Sequence, residues 1–184
     1  MQHILCQTGP LPLRRSPDGF AALLDAIVGQ QVSTASARAI WARLEGAGLT
    51  DAERVAGTAE EDLRALGLSR QKARYARALA EARIDYEALR FAPDAHVMTT
   101  LTAVTGIGRW TAEIYAMFAL GRADVFASGD LALQEAARLA YGLDARPSAK
   151  AMALMAESWS PWRAVAARAR WSYYRVAKAR EGIR

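Results

Sequence analysis

A chain of 184 residues, 52% hydrophobic and 23% charged, has room for one domain or two small lobes, and its composition excludes wholesale disorder. The single cysteine, Cys6, excludes an internal disulfide, a cysteine-built zinc site and a four-cysteine iron–sulfur cluster, and His3 and His96 lack the spacing of metal ligands. The net charge of +5 is uneven: residues 145–184 carry nine Lys/Arg against two Asp/Glu, and residues 1–144 carry fifteen against seventeen. On charge alone a solvated helix face is the plainer reading of this tail, and a polyanion partner is the functional one.

Taken in chain order, Met1 to Arg15 lacks the basic-then-apolar order of a secretory signal, and no later stretch approaches the ~20 apolar residues of a membrane span. A cytoplasmic protein is expected, nucleoid-associated if bacterial, with no membrane contact. Alanine, leucine and arginine dominate and β-branched runs are scarce, which predicts an all-α fold of nine or ten helices. Phe20 opens the apolar run that ends at Gly29-Gln30-Gln31. Ser33 then starts a helix that stops near Glu45, before Gly46 and Gly48. Thr58 with Glu61 has the spacing of a capping box. Ser69 opens a long helical pattern toward Arg90, with Pro93 beyond it. Ser148 opens another, and Pro161 stands where a last helix can begin.

One internal repeat is visible. Gly67-Leu68-Ser69-Arg70-Gln71-Lys72-Ala73 aligns with Gly106-Ile107-Gly108-Arg109-Trp110-Thr111-Ala112 at a constant offset of 39. The repeat predicts two paired turn-then-helix units; two copies are too few for a solenoid. In the second copy, Gly106 and Gly108 permit a turn with positive φ and a close backbone approach. The helix that follows presents amide N–H groups and its positive dipole end, a site suited to a phosphate oxygen, and Arg109 adds a cation there. An ordinary tight corner between two helices is the alternative for a bare Gly-x-Gly. Further along, Val125-Phe126-Ala127-Ser128-Gly129-Asp130 places a carboxylate 24 residues beyond Gly106, where a helix begins. Asp130 is either that helix's cap or an anion facing a cleft, and spacing alone does not separate the two.

The hairpin followed by this carboxylate resembles the signature of the helix–hairpin–helix DNA glycosylases. The segment from Phe20 to Ser33, with its Gly-Gln-Gln-x-Ser turn, is similar to the opening of that family's core, and Gly67 to Ala80 to its second block. Trp159-Ser160-Pro161-Trp162-Arg163 and Trp171-Ser172-Tyr173-Tyr174 resemble the closing block of the branch known as DNA-3-methyladenine glycosylase II. The resemblance implies two helical lobes with an active-site cleft between them, one made of residues 1–30 and 126–184, the other of residues 31–125, with the hairpin motif at about 101–120.

It implies further that Asp130 is catalytic, stabilising an oxocarbenium-like sugar or orienting the attacking water. Trp110 and Trp171 match aromatic positions of the base pocket, where an indole face attracts a cationic alkylated purine by about 0.5–2 kcal/mol per contact. Gly106, Ile107, Gly108, Arg109 and Thr111 would hold the DNA backbone. Gln30 and Gln31 stand in the wedge position, Gln31 filling the gap left by a flipped base; a helix-capping turn is the alternative. The carbonyls of Thr102, Val104 and Ile107 match those that hold a monovalent cation, Na+ or K+, against a phosphate. No other cofactor and no iron–sulfur cluster is implied.

Trp110 stands where bifunctional members carry a Schiff-base lysine, so a monofunctional enzyme is expected. Its substrate would be double-stranded DNA with damaged bases, from which it excises 3-methyladenine or 7-methylguanine, and it would act as a monomer. Leu131 and Ile114 replace aromatics of some members, and only about nineteen residues precede the core, too few for the β-sheet domain of larger bacterial members. Two alternatives stay open: a same-fold glycosylase for another lesion, and a non-catalytic hairpin module that binds DNA.

Overall fold

The computed structural model describes residues 2–11 and 13–180, so Glu181 and Arg184 of the charged tail lie outside the described residues. All regular structure among the described residues is helical, as the composition predicts, in twelve helices rather than nine or ten. Chain contacts divide the molecule into two units, residues 1–15 with 121–184 and residues 16–120.

The first unit contains α1 (Gln2–Thr8) and the three helices that close the chain. The middle unit contains α2 (Phe20–Gly29), α3 (Thr34–Gly46), α4 (Ala52–Gly57), α5 (Glu60–Ala65), α6 (Arg70–Glu81), α7 (Tyr86–Phe91), α8 (Asp94–Thr102) and α9 (Arg109–Phe118). After it come α10 (Leu131–Tyr141), α11 (Ala149–Glu157) and α12 (Arg163–Arg180). The surplus over the sequence count comes from helices of six or seven residues, too short to show an apolar period.

Helix starts follow side-chain chemistry. Ser33, Asp51, Ser69, Asp85, Asp130 and Ser148 each accept a backbone N–H from the first turn of the helix they precede. The capping box expected at Thr58 and Glu61 does not form. Thr58 instead donates its hydroxyl to the Arg54 carbonyl, closing α4, and α5 starts after Ala59 without a side-chain cap. The helix expected from Ser69 to Arg90 ends at Glu81. Arg83 takes φ +45°, which breaks the helical path, and Asp85 caps a new helix at its N-terminus.

In the middle unit α2 is the central helix. Leu23, Leu24, Ile27 and Val28 are fully buried, and α2 packs on α3, α6 and α9. This packing groups α2 with the middle unit, so the observed divisions fall at 15/16 and 120/121, not at the 30/31 and 125/126 that the resemblance implies. Alanines face the neighbours: Ala73, Ala76 and Ala80 on α6, Ala112 and Ala116 on α9. Small side chains let the helices approach closely, while each buried leucine of α2 contributes about 2–3 kcal/mol of apolar burial. In the other unit α12 packs on α10 and α1, and Ile4, Ala136, Ala169 and Tyr173 form one buried cluster. No helix among the described residues is long and apolar enough to cross a membrane.

Candidate functional site

The hairpin sits in the middle unit. After α8, the Val104 N–H donates to the Leu101 carbonyl (3.2 Å) and the Ile107 N–H to the Val104 carbonyl (3.0 Å), which turns the chain tightly. Gly106 adopts φ +99°, and a Cβ there would lie 2.6 Å from the Tyr75 Cβ. Both facts require glycine. Val104 and Ile107 are buried and pin the turn to the core. Gly108 precedes α9 and brings no side-chain oxygen, so no side chain caps that helix. Such a start suits an anion, because amide N–H groups and the positive dipole end coincide there.

Three predicted residues of this helix have distinct placements. Trp110 is 49% exposed in the first turn. Thr111 is buried, so its side chain offers no surface to a ligand and only its backbone belongs to the helix start. Arg109 is exposed but not a free cation: its Nε donates to Oε1 of Glu113 at 2.8 Å. Glu113 is almost wholly buried. Burial pushes its pKa up, and the Arg109 hydrogen bond and charge oppose that push. The positive charge expected at the hairpin is therefore matched by a carboxylate one helical turn on. The i,i+4 spacing of Arg109 and Glu113 was readable in the sequence.

The first repeat copy has the same backbone. Gly67 adopts φ +108°, Leu68 is buried like Ile107, and Ser69 stands at the start of α6 as Gly108 does at α9. Both turns border one open depression of about 620 Å3, which Gln30 and Gln31 also line. Gln30 donates its Nε2–H to the Gly106 carbonyl (3.1 Å), tying the Gly29–Gln31 turn to the hairpin. Gln31 is exposed and takes φ +54°. Thr102, Val104 and Ile107 line the same depression. Their backbone carbonyls are neutral oxygen donors, which suit a hard monovalent cation and no soft transition metal. Among the described residues no group of three His, Cys, Asp or Glu side chains could hold a metal ion.

The carboxylate belongs to the other unit. Asp130 caps α10: its Oδ1 accepts the Leu133 N–H at 2.9 Å. The same oxygen accepts the indole N–H of Trp171 at 3.1 Å. Trp171, expected as a stacking surface, is thus a hydrogen-bond donor to the predicted catalytic carboxylate. The loop before it is fixed by its own backbone, with Ser128 N–H on the Phe126 carbonyl and Asp130 N–H on Ala127. Buried Gln134 adds a bond from Nε2 to the Ser128 carbonyl (2.9 Å). The other aromatics of the closing block divide. Trp159 packs edge-on against Phe126 and lies under the buried Arg170 guanidinium (3.4 Å from the ring centre), whereas Trp162 is 61% exposed and not in the core.

The strongest tie in this loop was not visible in the sequence. Arg163, at the start of α12, binds Asp124 through its guanidinium with two hydrogen bonds of 2.8 Å and through its backbone N–H at 3.4 Å, and the Ser160 hydroxyl adds a fourth at 2.9 Å. No periodicity links residues 39 apart. These bonds, led by the one from Arg163, hold the Asp124 carboxyl down at about 2, below the ~3.9 of an unfolded aspartate. A depressed carboxyl contributes stability that is complete above the unfolded value and is lost as pH falls toward the folded one. Between about pH 4 and pH 2 the native protein is therefore expected to lose thermal stability more steeply than Asp124→Asn. Parallel midpoint-against-pH curves would remove this pair from the acid stability.

A family profile described as the HhH-GPD superfamily of base excision DNA repair proteins matches residues 24–163. YfjP of Bacillus subtilis is 34% identical over 114 residues, 60% of this chain, and the chain spans 40% of its length. The structure of a Schizosaccharomyces pombe 3-methyladenine DNA glycosylase, Mag1, in complex with abasic DNA superposes with a TM-score of 0.81 at 26% identity, covering 96% of this chain and 90% of that one. A DNA-3-methyladenine glycosidase from Bacillus halodurans gives a TM-score of 0.82 at 32% identity, covering 98% and 90%.

Proposed function

This chain belongs to the HhH-GPD superfamily of base excision DNA repair proteins, and from that premise we propose that it is a monofunctional DNA N-glycosylase for alkylated purines of the 3-methyladenine and 7-methylguanine type. The observation that carries the reading is Asp130, whose Oδ1 is fixed by two N–H donors at the start of α10. The similarity to 3-methyladenine glycosylases supports the substrate class.

Such a base lies inside the duplex and must be turned out of the stack, which costs a few kcal/mol. The uncapped start of α9 and the turn at Gly106–Gly108 bind the phosphate backbone, so affinity falls with salt as counterions are released. Thr102, Val104 and Ile107 would hold a monovalent cation through their carbonyls, and that cation would supply charge for one phosphate. The exposed indole of Trp110 receives the cationic base. An alkylated purine is already a good leaving group, so no strong general acid is required. As the glycosidic bond breaks, positive charge grows on the sugar, and the Asp130 carboxylate stabilises it and orients the water that attacks C1′. Trp110 has no amine, so no Schiff base forms on it.

Duplexes carrying one defined lesion each test the assignment. Release of a methylated purine should exceed that of uracil or a mispaired adenine, with no protein–DNA adduct trapped by borohydride. Equal or better release of a neutral base would move the substrate to another lesion class, and a trapped adduct would overturn the monofunctional mechanism.

A further inference from the structure

Lys72 is the buried cation of the middle unit that this chemistry leaves without a task. Only 8% of it is exposed, and its Nζ donates to the Val28 carbonyl at 2.7 Å. Val28 lies in the last turn of α2, where carbonyls lack helical partners and a cation interacts favourably with the dipole. Immediately beyond comes the Gly29–Gln31 turn. There Gln30 is tied to the Gly106 carbonyl, and Gln31 is held, exposed, at φ +54°. A side chain rarely adopts that conformation, and it persists only where the flanking structure determines it. Two tethers supply that determination: Lys72 from the first repeat copy acts before the turn, and the hairpin of the second copy acts on it. Lys72, Gln30, Gln31 and Gly106 border the same depression.

We infer that Lys72 is a positioning residue that, through the Val28 carbonyl, holds Gln31 in the shape that enters the base stack when the target base leaves it. The inference rests on the glycosylase reading. It gives the first repeat copy a task that differs from that of the second: one copy binds the backbone, the other sets the wedge. Lys72 aligns with Thr111 across the repeat, so only the first copy carries a lysine at this position. Its pKa is lowered by burial, consistent with an ammonium withdrawn from solvent.

The test uses the whole protein with Lys72→Met, which keeps the buried stem and removes the donor. Three readouts are taken: affinity for undamaged duplex, fluorescence of 2-aminopurine placed beside the lesion as a reporter of unstacking, and single-turnover release of the methylated base. The expected result is affinity changed less than about twofold, the fluorescence rise cut by at least about half, and release slowed about tenfold or more. Lys72→Arg, which keeps a charged donor, should recover part of the fluorescence rise. Gln30→Leu, which cuts the second tether, should lower the same rise should Lys72→Met prove too unstable to assay. Unchanged unstacking and release in Lys72→Met, or affinity lost in step with them, would overturn the inference. Absence of base release by the native protein would instead overturn the reading on which it rests.

Discussion

Asp130→Asn is expected to slow single-turnover release of an alkylated purine at least about a hundredfold, about 3 kcal/mol of transition-state stabilisation, the range reached when one aligned electrostatic partner is removed. Duplex affinity should change by no more than about twofold, because the proposed mechanism assigns binding to the hairpin's contacts with the phosphate backbone and assigns Asp130 to the sugar. The substitution is clean on physical grounds. Asparagine caps helices as well as aspartate does, so the bond from the Leu133 N–H to Oδ1 survives and α10 keeps its start. An amide oxygen can also still accept the Trp171 indole N–H. What disappears is the negative charge. An unchanged rate in Asp130→Asn would reduce the residue to a helix cap.

Gly106→Ala is the second large effect, and it acts on the fold and on DNA binding together. The residue sits at φ +99°, and the new methyl group would meet the Cβ, Cγ and Cδ2 atoms of Tyr75. Cβ and Cγ are close to the Tyr75 backbone and cannot swing aside as a side-chain tip can. Conformational strain and overpacking together are expected to destabilise the middle unit by about 2–4 kcal/mol. Under the proposed binding mode, in which the hairpin backbone meets a phosphate, duplex binding should fall by about tenfold or more at physiological salt. Gly108→Ala separates the causes. That glycine has φ −80°, and a methyl group added there would meet no atom within 4 Å, so the stability of this variant should stay within about 0.5 kcal/mol of native. Equal stability of Gly106→Ala and native protein by thermal unfolding would contradict the steric account.

The elements that the sequence displayed were those with local causes. Serine and aspartate caps announced α3, α6, α10 and α11, because one side-chain oxygen and a first-turn N–H are all such a start needs. The repeat at offset 39 was legible for the same reason, since Gly67 and Gly106 both answer a local demand for positive φ. Thr58 shows the limit of this reasoning: a threonine hydroxyl can cap the helix that follows or bond back to the one before it, and here it donates to the Arg54 carbonyl. The break at Arg83 lies in a single residue at φ +45°, which no apolar periodicity encodes.

At the site, residue types were readable and pairings were not. Asp130 and Trp171 each stood out, yet their mutual hydrogen bond joins residues 41 apart on different helices. Gln30 was expected at the wedge turn, but its bond to the Gly106 carbonyl, 76 residues away, was not legible. Glu113 carries no motif of its own, and its importance lies in its bond to Arg109. Lys72 sat in the repeat without a role, since the carbonyl it binds lies on α2, 44 residues away.

The most direct test is chromatography of the free bases released from methylated duplex DNA by the native protein. Hydrolytic excision by Asp130 predicts free 3-methyladenine, accumulating with time and leaving an unbroken, abasic strand. No free base, with the duplex still bound in a salt-dependent way, would contradict it and leave a hairpin protein that binds DNA without acting on it.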